Sequence, residues 1–231
     1  MPILSPRDSC LTVLNLFTTD SRDKQDRLLQ EMRTIVNAAA YEGWISSTVH
    51  SGSDKPGTAN LIQWRGEGDV HRRYAGDEFR HRTVPLFEEM TTSIRLLRTE
   101  VAFTGRHPSN GGATEVSPDR DDHTVIELFG VERENLADLV SVLERSHDWL
   151  VDEPGYRSLS VLRGVGAVGL DGDFAVRYSQ WDGEGSYEAF RSRPDAEWSA
   201  ARTETRDKLR SLATFLEWNT YRVVHTRSAG Q

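Results

Sequence analysis

The sequence contains a single cysteine, Cys10, so no disulfide can form within one chain and no cysteine cage can hold a metal. No apolar run approaches the roughly 18 residues needed to cross a bilayer, and no membrane partner is expected. An excess of positive charge is also missing. Against 36 Asp and Glu stand 28 Lys and Arg, a formal net charge of −8. Phosphate binding rests on clustered cations, so no nucleic-acid partner is expected either. The start of the chain lacks a basic region followed by a long apolar core, because Arg7 and Asp8 interrupt the only candidate. No signal peptide is expected, and the cytoplasm is the expected location.

Familiar catalytic signatures are absent too. There is no P-loop, no G-x-S-x-G elbow and no Cys–His nucleophile pair. The seven histidines show no helical metal spacing, and His71 and His81 with Asp77 or Glu78 read as ordinary surface residues, so no metal is expected. GVGAVG (Gly164–Gly169) satisfies G-x-G-x-x-G, but a strand follows where a dinucleotide site needs a helix N-terminus. It reads as a flexible hairpin loop.

What the chain does have is 37% hydrophobic residues in patterns that occur twice. LTVLNLF (Leu11–Phe17) reads as a strand, and Asp20-Ser21 offers a helix N-cap. Leu28, Leu29, Met32, Ile35, Val36 and Ala39 then share one helical face, up to Gly43. Trp44–His50 and Thr58–Trp64 read as a hairpin around SGSDKPG. Helix formers from Asp69 to Ser93, broken near Pro85, lead to a closing strand at Ile94–Thr104. That is βαββαβ. After a stretch of Pro, Gly, Ser and Asn between Gly105 and Asp122, read as a linker, the order restarts with Thr124–Gly130. Leu136, Leu139, Val140, Leu143 and Leu150 mark the second helix, Gly155-Tyr156 answers Gly43-Trp44, and Phe174–Trp181 and Leu216–Thr226 repeat the later strands. Gln63-Trp64 and Gln180-Trp181 fall in the same slot. The expected fold is α+β: tandem duplicated ferredoxin-like βαββαβ units, residues 1–108 and 123–231 joined by a linker at 109–122. Their sheets are expected to pack face to face as an intramolecular dimeric α/β barrel.

Polar groups on apolar strands are the candidate site. Asn15 shares a face with Leu11, Val13 and Phe17, and Asn60 with Ile62 and Trp64. Such residues serve equally as loose-end caps and space fillers.

Thr12-x-x-Asn15-x-Phe17, Gly43-Trp44 after the first helix, Asn60-x-x-x-Trp64 and the closing Val101-x-x-Thr104 together resemble the antibiotic biosynthesis monooxygenase family. The likeness covers the first repeat and, more loosely, the second. Two-unit members resemble oxygenases of bacterial aromatic polyketide pathways, both quinone-forming monooxygenases and ring cleavers of angucycline-type skeletons. The resemblance implies that Asn15, Asn60 and Trp64 bind a phenolic substrate beside Phe17, Trp44, Ile62 and Trp181. The second repeat departs from the pattern: Glu127 stands in place of Asn15 and Arg177 in place of Asn60.

Dioxygen reacts slowly with closed-shell organics, so such an enzyme needs an electron-rich phenolate or hydroquinone anion in a dry pocket with donors aimed at the oxyanion. Asn60, Trp64 and Asn15 are the expected donors, and His71, Tyr74, His81 and Arg82 the expected proton carriers. The ring cleavers imply reduced flavin (FADH2 or FMNH2) as a diffusible cosubstrate supplied by a flavin reductase, whereas the quinone formers imply O2 alone. A homodimer is a further expected assembly. A polyketide cyclase and a non-catalytic ligand-binding module are the competing readings.

Overall fold

The computed structural model describes residues 2–230. The first half consists of β1 (Ile3–Leu4), β2 (Leu11–Thr18), α1 (Arg22–Ala38), β3 (Trp44–Gly52), β4 (Gly57–Trp64), α2 (Glu67–Ala75), α3 (Val84–Glu88) and β5 (Ser93–Arg106). After β6 (Thr114–Glu115) the second half follows as β7 (His123–Val131), α4 (Leu136–Arg145), α5 (His147–Leu150), β8 (Tyr156–Val168), β9 (Asp173–Trp181), α6 (Glu184–Arg191), α7 (Ala200–Leu212) and β10 (Ala213–Ser228). The expected duplication is what the chain adopts.

Eight strands close into one barrel in the order β10-β3-β4-β2-β5-β8-β9-β7. The closure comes from two long strands. β5 pairs with its own β2 through Ser93–Thr99 and with β8 of the other half through Leu96–Arg106. β10 repeats this arrangement, pairing with β7 through Ala213–Arg222 and with β3 through Tyr221–Ser228. Because side chains alternate along each strand, one set fills the barrel and the other meets the helices. Leu14, Leu61, Leu97, Ile126, Leu128, Leu162, Val176 and Tyr178 form the interior core. Inside it, His50 Nε2 meets the Tyr178 hydroxyl at 2.8 Å and joins the halves.

Outside, α1 lays Leu28, Leu29, Met32 and Val36 on the first sheet, and α4 lays Leu139, Val140 and Leu143 on the second. The Ser21 hydroxyl accepts from the Lys24 amide at 3.3 Å and caps α1. Gly43 and Gly155 both take positive φ, +76° and +78°. A Cβ would sit 2.2 Å from the Asp69 side chain at the first and 2.3 Å from that of Ser186 at the second, so both turns demand glycine twice over.

The repeated Gln-Trp pair has a structural role. Gln63 accepts from the Ser46 hydroxyl at 2.8 Å and donates to the Ile3 carbonyl. Gln180 accepts from Ser158 at 2.7 Å and donates to the Glu115 carbonyl. Since β1 and β6 pair with each other, the two glutamines pin one small two-stranded clasp. Residues 109–122 therefore hold structure: β6, a 3-10 turn at Pro118–Arg120, fully buried Val116, and Asp122 in ion pairs with Arg120 and Arg157. GVGAVG also differs from expectation. Gly164–Val168 continue β8 because their backbone pairs with β5, and only Gly169, at φ +77°, begins a turn. The helical break falls before Pro85, at Gly76 and a π-turn over Phe79–Thr83, while Pro85 sits in the first turn of α3, where its missing N–H is not needed.

Candidate functional site

Between sheet and helices each half encloses a space, and the two spaces differ tenfold. In the first half Asn15 faces Asn60 across the β2–β4 pair. Together with Phe17, Trp44, Ile62, Trp64 and Tyr74 they line a slot of about 60 Å³. The Asn15 amide donates to the Tyr74 hydroxyl at 3.2 Å. Tyr74 stacks on Phe79 with centroids 4.5 Å apart, so the π-turn presses both rings into the slot. Burial pushes the Tyr74 hydroxyl up to about 12, which keeps it protonated. Asn60 Oδ1 and Trp64 Nε1 are buried without a hydrogen-bond partner. The volume suits one or two waters and no ring system. His71, His81 and Arg82 lie on the solvent side of this segment and do not line the slot. All three are exposed, and His81 has an ion-pair contact only with Asp77, at 3.9 Å.

In the second half the corresponding space is a cavity of about 600 Å³. Trp181, in the register position of Trp64, shares its lining with Trp149, Tyr187, Phe190, Trp198 and Trp218. Here α7 covers the sheet at the place where the first half has the π-turn, and it lines the cavity with Arg202, Thr205, Arg206 and Leu209. Phe190 packs 4.8 Å from Trp181, and Trp149 stacks on Phe190 at 6.2 Å. This volume falls within the range of small-molecule sites, and its aromatic lining suits a flat ring system.

Glu127 faces Arg177 across the β7–β9 pair, as Asn15 faces Asn60. Arg177 Nη2 donates to Glu127 Oε1 at 2.7 Å and Nε donates to Oε2, a bidentate pair at the cavity wall. Burial works against the Arg177 charge, but Glu127 more than offsets it and holds the guanidinium above its ordinary value. Burial also raises the Tyr187 and Tyr156 hydroxyls, so both stay neutral donors. The arrangement offers a carboxylate and a guanidinium side by side at the edge of an aromatic chamber. It can accept a proton and stabilise an oxyanion within a few ångströms.

Comparison with family models and with curated proteins finds no match. A solved structure described as an anthrone oxidase-like protein superposes with a TM-score of 0.97 at 48% identity, over 100% of this chain and 98% of that one. The chain belongs to the family of anthrone oxidase-like proteins. This membership supports the resemblance to antibiotic biosynthesis monooxygenases. Provisionally named monooxygenases from Fusobacterium nucleatum subsp. nucleatum (TM-score 0.63, 9% identity, 96% of this chain and 95% of that one) and Lactobacillus acidophilus (0.56, 10%, 96% and 98%) share the fold.

Among the described residues no group of three or more His, Cys, Asp or Glu is placed to hold a metal, and no helix is long and apolar enough to cross a membrane. In this anthrone oxidase-like chain the sequence singled out Trp181 but not Trp149, Tyr187, Phe190, Trp198 and Arg202, which line the same cavity. The signal was present in Glu127 and Arg177, two opposite charges on facing strands at the register of a polar pair.

Proposed function

We propose that the protein is an oxygenase that binds a polycyclic aromatic phenol, enol or hydroquinone in the second-half cavity and lets O2 attack it there. The observation that carries this reading is the aromatic chamber of about 600 Å³ walled by the Glu127–Arg177 pair, in a chain 48% identical to an anthrone oxidase-like protein. Glu127 takes a proton from the acidic ring position, and Arg177 stabilises the resulting oxyanion. The electron-rich anion passes an electron to O2, and the two radicals combine. Trp149, Trp181 and Phe190 hold the ring flat and exclude water.

Electron counting separates the candidate reactions. Turning a ring methylene into a carbonyl uses all four electrons of O2 reduction: the carbon gains one oxygen atom, and the other leaves as water with the two hydrogens. Hydroxylation, or cleavage of a C–C bond as in angucycline-type ring opening, takes only two electrons from the substrate. These need an outside reductant, for which reduced flavin, delivered by a reductase, is the proposed cosubstrate. Gly164–Val168 lie in a strand and so form no dinucleotide cradle, and an isoalloxazine ring would fill the space assigned to the substrate.

A second reading places the chemistry in the first half, with Asn60, Trp64 and Asn15 as donors and Tyr74 as proton carrier. The unpartnered Asn60 Oδ1 and Trp64 Nε1 favour it, but it requires the π-turn to swing outward. His71, His81 and Arg82 would take part only after that movement. The test is oxygen uptake with anthrone and with polycyclic phenols, with and without reduced flavin. Anthrone should consume O2 without flavin, giving a product with one more oxygen and two fewer hydrogens, and Glu127→Gln should abolish this. No uptake with any substrate, with or without flavin, would leave a cyclase or a ligand-binding module.

A further inference from the structure

Arg202 is the one buried charge of the second-half cavity, among the described residues, that has no ion-pair partner. It projects from α7 with only 6% of its surface exposed. Its guanidinium lies between two rings, 4.0 Å from the Phe190 centroid and 4.1 Å from that of Trp198. Nη2 donates to the Phe190 carbonyl at 3.0 Å, while Nη1 is buried with no hydrogen-bond partner. Among the other cations of the lining, Arg177 pairs with Glu127, Arg206 with Asp195 and Asp207, and the exposed Arg191 with Glu188. Arg210 is exposed. Among the described residues no carboxylate comes within ion-pair distance of Arg202. Burial lowers its hold on the proton, with Glu153 and Asp195 acting only from a distance and Arg193 and Arg177 working against it.

A desolvated guanidinium with a free N–H and no counter-ion is costly, and proteins rarely keep one unless a ligand completes it. Stacking between Phe190 and Trp198 fixes the fork in one plane at the cavity wall, and a planar acceptor reaches the unpartnered Nη1 once the side chains that cover it give way. We propose that Arg202 is the anchor for an anionic oxygen group, a carboxylate or an ionised phenol, carried by the flat aromatic ligand of this cavity. This rests on the assignment of the cavity as the substrate site. The group it holds is distinct from the reacting position, because Glu127 and Arg177 lie on the sheet and Arg202 on the helix. The ligand class is thereby narrowed to acid-substituted polycyclic aromatics, with the acid group and the oxidisable position at different points of the ring.

The test is calorimetric titration of the full chain with anthracene-2-carboxylate, its neutral isostere anthracene-2-carboxamide, and 2-anthrol. The carboxylate should bind at least about tenfold more tightly than the carboxamide. Arg202→Met should abolish that preference while leaving carboxamide affinity nearly unchanged, and Arg202→Lys, which keeps the charge but not the stacked fork, should keep only part of it. If Arg202→Met does not fold, Arg202→Gln supplies the neutral variant. A preference for 2-anthrol that grows as pH rises toward its ionisation would mark the phenolate as a ligand, and no such growth would restrict the anchor to carboxylates. Equal binding of carboxylate and carboxamide to the wild type, or a preference that survives Arg202→Met or Arg202→Gln, overturns the anchor and leaves the cavity assignment standing. Failure of all three ligands to bind overturns both.

Discussion

The two halves of this barrel share strand order, glycine turns, bulges and the Gln-Trp pair, yet one carries facing amides over a slot of about 60 Å³ and the other a carboxylate facing a guanidinium over about 600 Å³. The contrast shows which parts of the unit are scaffold and which are free to change. Residues that hold the clasp or permit the turn occur twice. Residues at the sheet–helix space have diverged, and the divergence in charge accompanies the divergence in volume.

Breaking the buried ion pair is the strongest test of this contrast. Arg177→Met leaves Glu127 part-buried without its partner and should cost about 3 kcal/mol in urea unfolding, the low end for such pairs because both keep some contact with solvent. Replacing both, Glu127→Leu with Arg177→Met, should recover most of that stability while O2 uptake stays lost. Recovery of uptake in the double variant would move the chemistry elsewhere.

Acid should act on the seam between the halves. Burial lowers His50 to about 4 from 6.5, so the folded state prefers the neutral ring. The stabilisation is complete above pH 6.5. It is lost as pH falls toward 4, because only the unfolded chain binds the proton in that window, and the loss should amount to about 3 kcal/mol. His50→Gln should show a flatter dependence over that range, and equal slopes for wild type and variant would remove His50 as the cause.

Gly43→Ala and Gly155→Ala should each cost on the order of 1–3 kcal/mol, because both combine positive φ with a blocked Cβ position. A large difference between them in thermal unfolding would mean that the turns are not equivalent. The smallest effect is expected for Asn60→Ala. With the chemistry in the second half, kcat should stay within about twofold of wild type, whereas loss of an oxyanion donor would slow it by roughly a hundredfold or more. A drop of that size would restore the first-half slot as the active site.

Much of the fold was legible because strands and helices report through local periodicity: the faces of β2, α1, β4 and β9 follow directly from alternation and helical spacing. Barrel closure was less legible. The ends of β5, β8 and β10 pair across the halves, and the glycines at 164 and 166 break the alternation that would signal a strand at the end of β8. The two-residue strands β1 and β6 exist only because they find each other some 110 positions apart. At the site, Asn15, Phe17, Trp44, Asn60, Ile62, Trp64 and Tyr74 do converge, as their shared faces imply. The larger cavity was hidden because Trp149 and Arg202 come from helices, and Trp198 from the bend before α7, whose packing over the sheet no short motif encodes, and because Glu127 and Arg177 read singly as departures from a pattern.

A sheet that closes on itself presents no long unpaired backbone rim to other molecules, and the short clasp strands are paired with each other. Among the described residues the barrel strands therefore offer no edge by which folded copies could stack into fibrils, and the two-residue clasp strands leave only very short ones. That hazard arises only when the seams β5–β8 and β10–β3 part, so the strength of those two seams, more than the packing of either half, should set the protein's shelf life in concentrated solution.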